Sequence, residues 1–110
     1  TSICLEKDID PKDVELTGHS LGGAVALITG ALMVRDEIIP RQIVTFGAPK
    51  CGRLKILDRV PVSMYRHGKD IVPMVPPLMR RHCKMIEKNK PGSSYIKDHY
   101  MVNYVDMVKD

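Results

Sequence analysis

The chain has 110 residues, 44% of them hydrophobic, with one Phe, no Trp and a formal net charge of +4. That length admits one small core, which with so few aromatics must be built from Val, Ile, Leu, Met and Ala. The charge is split, −3 over residues 1–49 and +7 over the rest. No aromatics interleave with the basic residues as a nucleic-acid surface requires, so the basic half reads as a solvated face or as a contact for an anionic membrane surface.

Taken in order, Asp10-Pro11-Lys12-Asp13 is a turn and Val14 to Thr17 alternates as a short strand. Leu21 to Val34 is predicted to be a helix, apolar on nearly every side and therefore buried on both faces. At this length it is a core helix, since a membrane span needs about 18 apolar residues or more. Gln42 to Phe46 is a strand stopped by Gly47-Ala48-Pro49, and Val60 to Tyr65 is another. Ile71 to Met79 contains Pro73, Pro76 and Pro77 and cannot be regular; its apolar side chains suit a packed loop, an acyl pocket or a lipid contact. His82 to Ile86 is a further short strand, and Pro91 to Ser94 a loop. Met101, Tyr104, Val105 and Val108 then fall on one face of a last helix. Strands alternating with crossovers predict one α/β domain, with a mainly parallel sheet and helices on both faces.

Cys4, Cys51 and Cys83 are odd in number and widely spaced. They suit neither a zinc site nor a disulfide framework and read as reduced small hydrophobes, which favours a reducing compartment. No signal peptide is seen. The chain opens with Thr inside what reads as an element already under way, as a piece of a longer domain would.

The chemistry is concentrated in Thr17-Gly18-His19-Ser20-Leu21-Gly22-Gly23-Ala24. Strand, G-x-S-x-G, then buried helix is the context of a nucleophile elbow. The turn is so sharp that the residues two before and two after the serine crowd together, and Gly18 and Gly22 make room by lacking Cβ. Ser20 is thereby lifted clear at a helix N-terminus, where the Leu21 N–H points at a developing oxyanion. Gly23 and Ala24 let the helix lie close on the sheet. The competing reading is that Ser20 merely caps the helix.

A serine hydroxyl needs a base, usually a histidine oriented by an acid, and in this architecture the chain order is Ser, acid, His. His19 adjoins the serine and points away from its hydroxyl. His67 precedes the acid, and His82, in Arg80-Arg81-His82, reads as a solvated basic face. His99 remains. Among the acids, Asp36 and Glu37 end a helix and Asp98 reads as a helix N-cap. Asp70, after a strand and Gly68, lies at the C-terminal sheet edge where α/β sites form, and it is preferred over Asp58. Protonation of the base would stop it accepting from Ser20, so activity is expected to fall in acid.

Four blocks occur in order: Gly18-His19-Ser20-Leu21-Gly22-Gly23-Ala24, Val44-Thr45-Phe46-Gly47-Ala48-Pro49, Gly68-Lys69-Asp70-Ile71-Val72-Pro73, and Asp98-His99 with Asn103-Tyr104. Together they resemble the class 3 lipases, the fungal-lipase-like α/β-hydrolases. The resemblance implies a partial α/β-hydrolase fold, with Ser20 as nucleophile, Asp70 as the orienting acid and His99 as general base. It implies hydrolysis of carboxylic esters of acylglycerols or phospholipids without metal or organic cofactor. It also implies a longer region before the elbow, carrying early strands, a lid and a second oxyanion donor. Only the Leu21 N–H half of the oxyanion hole lies in this chain, so weak activity is expected of it alone. The rival readings are a thioesterase or acyltransferase, and a non-catalytic lipid-binding or interaction module.

Overall fold

The structure, a computed structural model, describes residues 10–88 and 96–109. Four strands, β1 (Glu15–His19), β2 (Gln42–Phe46), β3 (Val62–His67) and β4 (Ile86–Lys88), form one parallel sheet in the order β1-β2-β3-β4. The helices are α1 (Leu21–Arg35) and α2 (Met101–Lys109), and short 3-10 turns occupy Lys55–Arg59, Val72–Met74 and Lys97–His99. The loop predicted over Pro91 to Ser94, and Cys4, lie outside the described residues.

β2 coincides with its predicted range. β1 runs two residues further than expected because Gly18 and His19 pair with Thr45 and Phe46 in the ladder. β3 begins after Pro61, which has no N–H for a ladder but whose carbonyl accepts from Ile43 N–H at 2.9 Å. The strand expected over His82 to Ile86 is instead Ile86–Lys88, pairing with Tyr65 to His67.

In a parallel pair, facing residues share a side of the sheet. Ile43 and Thr45 of β2, with Val62 and Met64 of β3, make the side that α1 covers. The approach is close: a Cβ at Gly23 would stand 2.6 Å from Ala48 Cβ, and one at Gly30 would stand 2.4 Å from Ile43 Cδ1. Leu27, Ile43 and Leu57 are fully buried in this core, each stabilising the fold by about 1.5–3 kcal/mol. Phe46 and Tyr65 stack on the opposite side, where the Tyr104 ring of α2 meets Phe46 edge-on. The two helices therefore serve opposite faces of the sheet.

Two burial expectations need correction. Periodicity alone predicts α1 buried on both faces, whereas the family resemblance implies an exposed central helix; Leu21, Val25, Ile28 and Leu32 are exposed along one stripe. The sheet covers only one side of a helix, and no other described element packs on the second. On α2 the buried pair is Tyr104 and Met107, whereas Met101 and Val105 face solvent. The helix meets the sheet at its C-terminal edge, so the aromatic ring that reaches Phe46 sets its rotation.

Candidate active site

Ser20 stands between β1 and α1 at φ 59°, ψ −129°. A non-glycine residue held at positive φ costs about 1–3 kcal/mol and persists only where its surroundings enforce it. Here the Ser20 N–H donates to the Phe46 carbonyl at 2.9 Å. A Cβ at Gly18 would lie 2.1 Å from the Gly22 carbonyl oxygen, whereas one at Gly22 would meet nothing within 4 Å. The crowding expected of both glycines thus falls on Gly18, because it is the backbone of Gly22 that fills the space. Ser20 makes no side-chain cap to α1, so its hydroxyl is committed elsewhere.

That hydroxyl lies 2.8 Å from His99 Nε2, and His99 Nδ1 lies 2.8 Å from Asp70 Oδ2. An ionised carboxylate only accepts, so Nδ1 carries the ring proton and Nε2 is left to accept from Ser20 O–H. Asp70 is fully buried. Its Oδ1 accepts from Val72 N–H at 2.9 Å, and its backbone carbonyl accepts from Arg66 Nε at 2.9 Å. The fully buried Tyr104 hydroxyl accepts from His67 N–H at 3.1 Å, so its own proton goes to Asp70 Oδ2. Burial, then the bond to Asp70, push the Tyr104 phenol well above its ordinary range, which keeps it a donor. Gly47, at φ +64°, closes this layer: a Cβ there would stand 2.6 Å from Asp70 Oδ2 and 3.0 Å from His99 Nδ1.

His99 sits in the Lys97–His99 turn just before α2. Asp98, expected as a helix cap, is instead buried, and its Oδ2 accepts from Lys69 N–H at 2.8 Å. It joins the histidine loop to the loop carrying Asp70. At the head of α1, the Leu21 N–H has no backbone acceptor among the described residues. A polarised hydroxyl, an oriented imidazole and a free N–H at a helix N-terminus are together the groups needed to attack a carbonyl and hold the oxyanion. Among the described residues no cluster of three or more His, Cys, Asp or Glu side chains could hold a metal.

The class 3 lipase family model matches residues 4–80. The chain belongs to the class 3 lipase family. It is 38% identical over 69 residues to the secreted mono- and diacylglycerol lipase 1 of Fusarium solani, covering 58% of this chain and 20% of that protein. It is 30% identical over 86 residues to the chloroplastic phospholipase A1-Igamma2 of Arabidopsis thaliana, covering 64% of this chain and 16% of that protein. The crystal structure of the Lip2 lipase from Yarrowia lipolytica superimposes with a TM-score of 0.63 at 25% identity, over 76% of this chain and 34% of Lip2. The chain spans a fifth or less of the curated relatives' length, and its fold is a partial α/β-hydrolase fold. The family is one of lipolytic carboxylic ester hydrolases.

In this class 3 lipase chain the structure brings together groups from three places in the sequence: Ser20 with the adjoining Leu21 N–H, Asp70 and His99. The other candidates are not joined to the Ser20–His99–Asp70 line by their reactive atoms. Asp58 pairs with Arg53 at 2.5 Å on the surface, and the His67 ring stands edge-on to Tyr104. His82 is a correction. Read as solvated, it is only 6% exposed, and its Nδ1 accepts from Leu54 N–H at 3.1 Å with Arg53 3.2 Å away. The basic neighbours misled the reading, because a turn carries Arg80 outward and the next ring but one inward. Sequence reasoning also missed Tyr104 as a partner of Asp70 and Gly47 as its neighbour. Both lie in the motif blocks, where each has an ordinary explanation as core or turn.

Proposed function

We propose that the chain hydrolyses carboxylic esters of acylglycerols or related lipids through Ser20, His99 and Asp70. The observation that carries the proposal is the unbroken line of hydrogen bonds from Ser20 Oγ through His99 to Asp70. Ser20 Oγ attacks the ester carbonyl carbon while His99 Nε2 takes its proton. The oxyanion develops toward the Leu21 N–H. Collapse expels the alcohol, which receives the proton from His99, and leaves an acyl-serine. Water attacks that ester with His99 again as base, releasing the carboxylic acid and restoring Ser20. Asp70 holds the tautomer and stabilises the imidazolium. The names of the relatives, mono- and diacylglycerol lipase and phospholipase A1, support a glycerolipid ester as substrate.

A short-chain p-nitrophenyl ester tests this: a burst of nitrophenol followed by slower turnover is expected, and Ser20→Ala should abolish both. Turnover surviving in Ser20→Ala would overturn the assignment. A second reading, lipid contact independent of catalysis, is favoured by one observation. The Ile71 to Met79 loop is exposed at Ile71, Val75, Met79 and above all Leu78, at 99%, beside an exposed Arg80. Co-sedimentation of Ser20→Ala with anionic but not neutral vesicles would support it, and equal recovery from both would count against it.

A further inference from the structure

His19 is the last residue of β1 and immediately precedes Ser20. Its ring turns away from the hydroxyl, as expected, but it is not idle. Its Nε2 lies 2.7 Å from the backbone carbonyl oxygen of His99. A carbonyl only accepts, so Nε2 carries the proton and donates. The same ring stacks on the His99 ring, with centroids 4.7 Å apart and planes 27° apart, and the Tyr104 ring meets His19 edge-on at 5.5 Å. His19 therefore grips His99 twice, by its backbone and by its ring face.

The consequence lies in the reaction sequence and rests on the roles proposed for Ser20 and His99. In the resting enzyme two contacts tie His99 to the elbow: the Ser20 hydroxyl and His19. Once Ser20 is acylated its oxygen has no proton to donate, and the Ser20–His99 bond is lost. The histidine must nevertheless stay in place to activate water. Asp70 still holds one corner of the ring at Nδ1, but a single hydrogen bond leaves rotation about that corner open. The His19 contacts do not involve the reacting atoms and persist through the acyl-enzyme. We propose that His19 is a positioning residue that keeps His99 aligned with the acyl carbonyl when Ser20 no longer can, so that deacylation depends on it more than acylation does.

The test separates the two steps with p-nitrophenyl acetate under pre-steady-state conditions, on the whole chain. In His19→Phe a ring remains to stack but the donor is gone. The burst rate is expected to fall about threefold or less and the steady rate about 10- to 30-fold, since small misplacements of a catalytic group cost up to about a hundredfold. Burst amplitude should be unchanged. His19→Gln, whose amide N–H can reach the same carbonyl, is expected to restore the steady rate to within about threefold of the original. A merely structural role predicts something else: a lowered amplitude from partial unfolding, or both rates reduced by one factor. Either result, or a Gln variant as slow as the Phe variant, would overturn the inference while leaving Ser20 and His99 in place. Absence of a burst in the parent chain, or a burst retained by Ser20→Ala, would overturn the reading beneath it and this inference together.

Discussion

His99 and His82 are two largely enclosed imidazoles held by hydrogen bonds, and they have opposite chemistry. At His99 the neighbour of Nδ1 is a carboxylate, an acceptor, so the proton sits there and the far nitrogen is a base facing a hydroxyl. At His82 the neighbours of Nδ1 are donors, Leu54 N–H and the Arg53 guanidinium. That nitrogen is consumed as an acceptor, and the ring ties the segment before β4 to the residues that lead into the Lys55–Arg59 turn. Burial, with Arg53 assisting against the opposing pull of Asp58, lowers the His82 pKa below its ordinary 6.5. The side chain is the same in both places, and whether its partner donates or accepts decides between the base proposed at His99 and a structural acceptor at His82.

Exchanging that logic should have effects of very different size. The largest is expected at the reactive ring: His99→Gln should lower the ester turnover number on the order of a thousandfold or more, with little change in the urea midpoint. His82→Ala should do the reverse, costing about 1–3 kcal/mol in urea unfolding through donors left without an acceptor, while the folded fraction turns over normally. Should the two variants behave alike, the contrast fails.

Next comes the wall behind His99. Gly47→Ala puts a methyl against Asp70 Oδ2 at a positive φ, and turnover should fall about 10- to 100-fold from displacement of the pair. Tyr104→Phe keeps the packing but removes a donor from Asp70 and orphans the His67 N–H. A loss of about 1–3 kcal/mol in stability and a smaller drop in turnover than for Gly47→Ala are expected.

The smallest effect is in pH dependence. Below pH 6.5 an unfolded chain protonates His82 while the folded chain, with its lowered value, does not. The unfolded state then binds more protons, so stability should decline as pH falls from about 6.5 toward the folded value. His82→Asn, whose Oδ1 can accept from Leu54 N–H but cannot titrate, should flatten that limb of the urea midpoint against pH. An unchanged slope would mean that His82 is not the group responsible.

Much of this was legible in residue order. The elbow is a local object: Gly18, Ser20 and the helix behind them are contiguous, and their crowding follows from backbone geometry alone. β2 was legible because apolar β-branched residues end at a Gly and a Pro. The Asp70 and His99 blocks were legible only together with the elbow, since an acid and a histidine 29 residues apart carry no local signal. The exposed stripe of α1 was legible only through the family resemblance, because periodicity reports that side chains are apolar and not what covers them. His82 was misread for the converse reason: charged neighbours in the chain do not report burial, and the His82 ring turns inward while Arg80 stays exposed.

Sequence by itself determined the strand–elbow–helix unit and the alternating α/β order, because these depend on residues adjacent in the chain. Only the tertiary structure decided which nitrogen carries the proton in His19, His82 and His99, that Tyr104 and Gly47 back Asp70, and that His19 grips His99 from behind. Those depend on contacts between segments tens of residues apart, and a hydrogen bond's direction is set by the partner that folding brings to it.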